Sequence, residues 1–188
     1  MELFVLRFVL GLIPNLGGLV VDVFRLLLAP VWLPFQMLRL MLARPPACLP
    51  EGTYAVDYVC DGDTINVLTE GKSYRIRLAG IDAPEKDQPM GEEISYVVKK
   101  MLPKGTPVRV QCIDYDRKWK RHVAWIWDDE GQLINAMLVA MGLAYWYRDF
   151  APDDRYLAEL EALARQDRVG VWSRDDLVRP WDHRQAVS

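Results

Sequence analysis

The chain contains few cysteines and histidines, and neither residue type is spaced as metal ligands are. Its 188 residues include three cysteines and two histidines. This excludes a disulfide framework and a Cys/His metal motif. A single bridge between Cys60 and Cys112 stays open, because both fall on predicted strands; free, partly buried thiols are the alternative.

Basic charge is also scarce, since the formal net charge is −3 at pH 7. The first 50 residues hold more arginine than acid, so the acidity lies in the remainder. A protein that holds nucleic acid by charge alone is usually basic. Any nucleic-acid role therefore requires a local basic cluster or a bound cation.

No uninterrupted apolar run is long enough to span a membrane, which takes about 20 residues. Residues 1–43 are rich in leucine, valine and phenylalanine, but Pro14, Pro30 and Pro34 interrupt them. The pattern favours broken helices at a membrane interface, so we expect a membrane-associated protein. Two alternatives stay open: a cleaved signal peptide, which would leave a secreted or periplasmic protein, and an apolar arm that packs on this chain or a partner.

The composition changes after this segment. Residues 44–52 contain three prolines and predict a linker, because proline sustains neither a helix nor a central strand. A folded domain is predicted over residues 53–173, followed by a C-terminal tail over residues 174–188.

Hydrophobic periodicity predicts the elements of this domain. Strands are expected at residues 53–60, 64–69, 73–80, 108–113 and 121–127, and helices at residues 91–102, 133–141 and 152–166. This order is typical of an OB-type barrel. The predicted fold is α+β: a five-stranded OB-type β-barrel with three helices, preceded by a hydrophobic helical N-terminal segment.

Two blocks carry the candidate chemistry. Asp63 lies in an Asp-Gly-Asp-Thr turn between the first two strands, and the run Arg75-Ile-Arg-Leu-Ala-Gly-Ile-Asp-Ala-Pro-Glu85 follows. Asp63 and Asp82 would meet if the first and third strands end at one rim of the barrel. Two carboxylates, a backbone carbonyl and waters suit a hard cation such as Ca²⁺. Glu85 could then handle a water, and Arg77 could face a phosphate.

These blocks resemble the staphylococcal-nuclease-like (thermonuclease) family. The resemblance covers residues 53–173 and rests on five blocks in order: the Asp-Gly-Asp-Thr turn, the run 75–85, Arg121, residues 133–144, and Gly170-Val-Trp172. It implies a calcium-dependent phosphodiesterase that hydrolyses DNA and RNA.

The resemblance also implies roles for single residues. Asp63, Asp82 and the backbone carbonyl of Ala83 would hold Ca²⁺, and Glu85 would handle the attacking water. The resemblance further implies that Arg77 and Arg121 together clamp the phosphate, and that Arg121 also stabilises the leaving group.

One departure from the family pattern concerns the second arginine. Trp119 and Lys120 stand where the family commonly has a Tyr-Gly pair before that arginine. Arg117 is therefore a rival of Arg121 for the clamp. The acidic domain is a second departure, because secreted thermonucleases are typically basic; it suggests weaker binding of long polyanions or a short-oligonucleotide substrate.

Further residues could bind nucleic acid. Basic side chains interleaved with an aromatic ring suit a single strand. These are Arg117, Lys118, Trp119 and Lys120, with Tyr147 as a possible stacking platform. A solvated charged loop, and a core position for Tyr147, are the alternatives.

Two further functions stay open beside the nuclease. One is a non-catalytic OB-type nucleic-acid-binding module tethered to a membrane, and the other is a membrane-attached interaction protein. Retention of the carboxylates and arginines named above favours the enzyme. The expected partners are a DNA or RNA substrate and a membrane, and no protein partner is predicted.

Overall fold

The computed structural model describes residues 48–187. The predicted membrane-associated segment, residues 1–43, lies outside the described residues, as do residues 44–47 of the linker. Membrane association therefore stays a prediction from sequence. Within residues 48–187, no helix combines the length and apolarity that crossing a membrane requires.

Short strands and helices follow one another along this part of the chain. The strands are β1 (Gly52–Val59), β2 (Thr64–Thr69), β3 (Lys72–Leu78), β4 (Ile81–Asp82), β5 (Pro107–Asp116), β6 (Arg121–Trp127) and β7 (Tyr145–Trp146). The α-helices are α1 (Gly91–Met101), α2 (Ile134–Ala140), α3 (Arg155–Gln166) and α4 (Pro180–Ala186), and a 3-10 helix covers Gly170–Ser173.

Five of the strands close into a barrel in the order β1-β2-β3-β6-β5. All neighbours are antiparallel except β3 and β6, which run parallel. Helix α1 lies in the connection that leads from β3 and β4 to β5. The predicted α+β fold on a five-stranded OB-type barrel is confirmed.

Alternation along the strands sorts side chains between the barrel core and its outer surface. In β6, His122, Ala124 and Ile126 are buried, whereas the residues between them are partly exposed. Arg121 is one of those partly exposed residues. The same period that fills the core therefore turns Arg121 outward.

Asn135 ties α2 to the barrel. It is fully buried. Its Oδ1 accepts from Ile126 N at 3.0 Å, and its Nδ2 donates to Ala79 O at 2.9 Å. This tether holds the segment that leads from β3 into β4, which carries the candidate site.

The structure adds elements that periodicity could not reveal. Strands β4 and β7 have two residues each, and α4 has seven, within the predicted tail. Such pieces are too short to show a period. Helix α3 begins at Arg155, later than the predicted start at Pro152, because the side chain of Asp154 caps it by accepting from Leu157 N at 3.0 Å.

The possible bridge between Cys60 and Cys112 is not formed, and both thiols are free in the part of the chain that the structure describes. The thiol of Cys60 donates to Asn66 Oδ1 at 3.3 Å, and that of Cys112 to Asp114 O at 3.3 Å. Burial, aided by a hydrogen bond with Cys48, raises the pKa of Cys112 to about 12.

Candidate active site

A cleft of about 900 Å³ lies beside the outer surface of the barrel. Its walls come from separate elements: the turn before β2, strands β3 and β4, the loop after β4, the start of β6, and α4. The lining residues include Asp61, Asp63, Arg77, Asp82, Glu85, Lys118, Trp119, Arg121, Tyr147, Phe150 and Arg184. Most of the residues singled out from the sequence therefore share one cleft.

Arg77 holds the two predicted metal carboxylates together. Its Nη1 lies 2.7 Å from Asp63 Oδ2, and its Nη2 donates to Asp82 Oδ1 at 2.5 Å. The side chain of Asp82 is 1% exposed and that of Asp63 is 9% exposed. The expected meeting of Asp63 and Asp82 at one rim is thus present in the fold.

Nη1 of Arg77 is buried and ion-paired with Asp63 Oδ2. Within residues 48–187 it makes no hydrogen bond beside that ion pair. Buried donors usually have a hydrogen-bond acceptor as well. A phosphate oxygen of a bound ligand is a suitable acceptor.

A backbone N–H and a side-chain hydroxyl fix the Asp63 carboxylate in place. Ala83 N donates to Asp63 Oδ2 at 2.7 Å, and Thr64 Oγ1 donates to Asp63 Oδ1 at 3.1 Å. Ala83, the predicted carbonyl ligand, therefore lies directly against the Asp63 carboxylate.

Burial shifts the acid chemistry of the site. It raises the pKa of Asp82, against the opposing hydrogen bond from Arg184 and the charge of Arg77. Burial and the charge of Asp63 raise the pKa of Asp61 to about 6. Crowded carboxylates of this kind gain from a positive charge nearby.

Glu85 lies on the loop between β4 and α1, and its side chain is 39% exposed. Gln88 holds this loop, because its Oε1 accepts from Glu85 N at 2.9 Å. The loop packs tightly on the start of α1, where a Cβ on Gly91 would lie 1.8 Å from Glu85 O. Glycine at this position therefore allows the close approach that places Glu85.

Arg121 lines the cleft, and its Nε donates to Asp116 Oδ2 at 3.2 Å. The rival Arg117 lies in the turn between β5 and β6 and is not among the lining residues of the cleft. Lys120, at the position where the family commonly has glycine, has φ +52°. A positive φ is the conformation that glycine adopts most readily, which agrees with Lys120 standing at that position directly before Arg121.

Lys120→Gly is expected to raise the free energy of unfolding by about 0.5–1 kcal/mol. A left-handed L-residue costs about 1–2 kcal/mol, and the greater freedom of glycine in the unfolded chain offsets part of the gain. Urea unfolding would measure it. Lys118→Gly is the matched control in the same turn, and an equal gain there would show that the conformation of Lys120 is not the cause.

The basic turn contributes to the cleft through Lys118 and Trp119. Trp119 is 60% exposed, and Lys118 Nζ lies 5.2 Å from its ring centroid. Tyr147 lines the cleft as well, but Trp181 stacks on it at 5.1 Å and 5°. One face of the predicted stacking platform is therefore covered by α4.

Asp61 and Arg184 also line the cleft, and the sequence assigned a role to neither. Asp61 belongs to the Asp-Gly-Asp-Thr turn, and the turn itself was the available signal. Arg184 lies in the predicted tail, outside the family resemblance, and no sequence pattern marks it. Its guanidinium contacts Asp82 at 2.7 Å and Glu85 at 2.7 Å.

The side chains of the site bear on whether it could hold a cation. Among residues 48–187, no three carboxylate, thiol or imidazole groups are arranged to hold a metal ion. Two carboxylates, Asp63 and Asp82, nevertheless converge on one guanidinium, beside Ala83. All-oxygen donors fit a hard cation, provided that backbone oxygen and water complete its coordination.

The fold and the cleft define an OB-type barrel protein whose side chains could bind a phosphate together with a hard cation. Residues 75–174 match the family described as staphylococcal nuclease homologue. The chain belongs to the staphylococcal nuclease family, which confirms the resemblance seen in the sequence.

Several similar proteins carry nuclease names. A protein of Escherichia coli O157:H7, named an uncharacterized endonuclease, is 37% identical over 123 residues, which cover 65% of this chain and 78% of the relative. A micrococcal nuclease of Shigella flexneri is 34% identical over 137 residues, which cover 68% of this chain and 78% of the relative. The protein ParB of Escherichia coli is 35% identical over 136 residues, which cover 68% of this chain and 76% of the relative. These relationships support a nuclease.

Proposed function

We propose that the protein is a calcium-dependent nuclease that hydrolyses phosphodiester bonds of DNA, RNA or both. One observation carries the proposal: Arg77 joins Asp63 and Asp82 in a cleft that also contains Glu85 and Arg121. The groups that we propose for cation binding, water handling and phosphate binding thus line one cleft.

Asp63, Asp82 and the backbone carbonyl of Ala83 would hold the cation. Bound Ca²⁺ would supply positive charge that polarises the phosphate. The burial of both carboxylates supports this role, because paired buried acids are stabilised by a cation.

Glu85 would orient the attacking water and accept its proton. Its side chain is partly exposed at the cleft, and the hydrogen bond that its backbone N–H donates to Gln88 Oε1 holds the loop. A carboxylate of this kind is a common general base.

Arg77 and Arg121 would bind the phosphate from two sides. Nη1 of Arg77, which is ion-paired with Asp63 and makes no hydrogen bond within residues 48–187, would donate to an equatorial oxygen. Guanidinium groups match the charge that develops on these oxygens in the transition state, and Arg121 would also stabilise the leaving group.

Outside the reacting atoms, the basic turn would guide the strand. Lys118 and Trp119 line the cleft and would contact backbone and base, with weaker roles for Arg117, Lys120 and Tyr147. Association with a membrane through residues 1–43 is proposed on sequence grounds alone.

Metal removal is the direct test. The purified protein should cut single-stranded DNA or RNA with CaCl₂ and stop with EGTA. Asp82→Asn should weaken Ca²⁺ binding, measured by calorimetry, by more than about 100-fold, since even outer partners of metal ligands cost about 10- to 100-fold.

Asp129→Asn is the matched control, because Asp129 is an exposed aspartate in the turn after β6. Equal cleavage in EGTA would contradict the metal assignment. Binding of single strands without cleavage by a folded protein would favour the non-catalytic binding module instead.

A further inference from the structure

The C-terminal helix α4 covers the candidate active site with a positively charged side chain. Arg184 Nη2 donates to Asp82 Oδ2 at 2.7 Å, and Nη1 donates to Asp82 Oδ1 at 3.2 Å. The same Nη1 donates to Glu85 Oε1 at 2.7 Å. One guanidinium therefore occupies both a proposed cation ligand and the proposed general base.

The contacts leave little of the Asp82 carboxylate available. Its Oδ1 accepts from Arg77 and Arg184, and its Oδ2 accepts from Arg184. Calcium bonds carboxylate oxygens at about 2.3–2.6 Å. A cation at that distance would lie against a like-charged guanidinium on the same oxygens, so the two compete.

Side-chain contacts hold α4 in this position. Trp181 stacks on Tyr147, with centroids 5.1 Å apart, and His183 Nε2 lies 3.1 Å from Asp87 Oδ2. Just before the helix, Val178 O accepts from Gln88 Nε2 at 2.9 Å. Gln88 also holds the backbone of Glu85, so the docked segment is linked to the catalytic loop.

Helix α4 is too short to be stable on its own. It has seven residues, far below the length at which an isolated helix is stable in water. Its position therefore depends on the docking contacts. It also lies beyond residue 174, where the match to the family ends.

We infer that α4 is an autoinhibitory strap: docked Arg184 takes the place of the cation on Asp82 and pairs with Glu85, and Ca²⁺ binding requires the strap to leave. This inference rests on the proposed calcium-dependent nuclease. The docked strap covers two parts of the cleft, since Arg184 neutralises the carboxylates while Trp181 covers one face of Tyr147.

If Ca²⁺ binds only to molecules with the strap released, the apparent affinity is the intrinsic affinity multiplied by the fraction of such molecules. Two variants of the full chain remove the competition in different ways. Arg184→Met removes the guanidinium, and Trp181→Ala weakens the docking without any change in charge. Both should tighten the calorimetric Kd for CaCl₂, Arg184→Met by about tenfold or more, within the usual range of coupling between sites.

Arg174→Met is the control for charge, because Arg174 is an exposed arginine of the same segment that pairs with Asp176. It should leave the Kd unchanged. If Arg184→Met binds Ca²⁺ more tightly but Trp181→Ala keeps the wild-type Kd, the charge of Arg184 alone explains the effect. That result would contradict the proposed strap.

Hydrogen exchange gives a readout independent of affinity. Saturating CaCl₂ should speed exchange of the amides in α4 of the wild-type protein, and unchanged exchange would overturn the inference. If Ca²⁺ binds and Asp82→Asn weakens it, while both strap variants match wild type, the strap fails and the nuclease stands. If none of these proteins binds Ca²⁺, the proposed metal site fails and the strap falls with it.

Discussion

Glu85→Gln is expected to lower kcat for single-stranded DNA by about 10²- to 10⁴-fold at saturating Ca²⁺, because a general base contributes about that much. The amide keeps the shape of the side chain but cannot accept the proton. Steady-state cleavage rates would measure the change. The fold should survive, since the side chain is partly exposed and Gln88 holds the loop through the backbone.

Glu93→Gln is the matched control, because Glu93 is an exposed acid in the first turn of α1. It should cleave at the wild-type rate. Glu85→Gln would also remove one contact of Arg184. If Arg184 competes with the cation, loss of this contact should strengthen Ca²⁺ binding, so weaker Ca²⁺ binding would not explain a lower kcat. Turnover near the wild-type value would therefore remove Glu85 from the mechanism.

Arg77→Gln is expected to reduce both stability and cleavage. The side chain of Arg77 is 11% exposed and faces two buried carboxylates. Removing one partner of a buried ion pair leaves uncompensated charge and costs about 3–5 kcal/mol. Arg184 still contacts Asp82, so we expect about 3 kcal/mol, measured by urea unfolding in EGTA at neutral pH.

At acid pH, the loss of stability caused by Arg77→Gln should be smaller. The pKa of Asp82 is raised by burial, and loss of the Arg77 charge raises it further. A raised carboxyl pKa means that the folded state binds the proton more tightly, so relative stability falls as pH rises through that pKa. The variant should therefore approach wild type in acid and diverge from it towards neutrality.

Arg75→Gln controls for the loss of an arginine from the same strand, because Arg75 is exposed. It should unfold and cleave nearly as the wild type does. If Arg77→Gln behaved in the same way as Arg75→Gln, Arg77 would be neither the partner of the carboxylates nor part of the phosphate clamp.

Much of the barrel was predictable because local patterns encode it. Alternating residues mark β6, the Glu70-Gly71 pair marks the turn between β2 and β3, and helical spacing marks α1. Glu70 and Gly71 both have positive φ, which fits a tight hairpin turn. The family blocks are also local, so their order along the chain could be read without any knowledge of contacts.

The site could be predicted only as far as its residue types. Asp63, Arg77, Asp82 and Glu85 lie in two short blocks, so a shared rim was a reasonable expectation. The choice between Arg117 and Arg121 was open because it depends on which side chain the turn between β5 and β6 directs to the cleft. The left-handed φ at Lys120 belongs to that turn and is invisible in the sequence.

The sequence by itself determined the periodic elements, the family, and the set of carboxylates and arginines available for chemistry, because each of these depends on residues close together in the chain. Only the tertiary structure decided that Arg77 joins Asp63 to Asp82, that Asp61 is crowded, and that Arg184 reaches Asp82 across 102 positions of sequence. Such contacts follow from barrel closure and the docking of α4, which bring distant residues together and leave no periodic trace in the sequence.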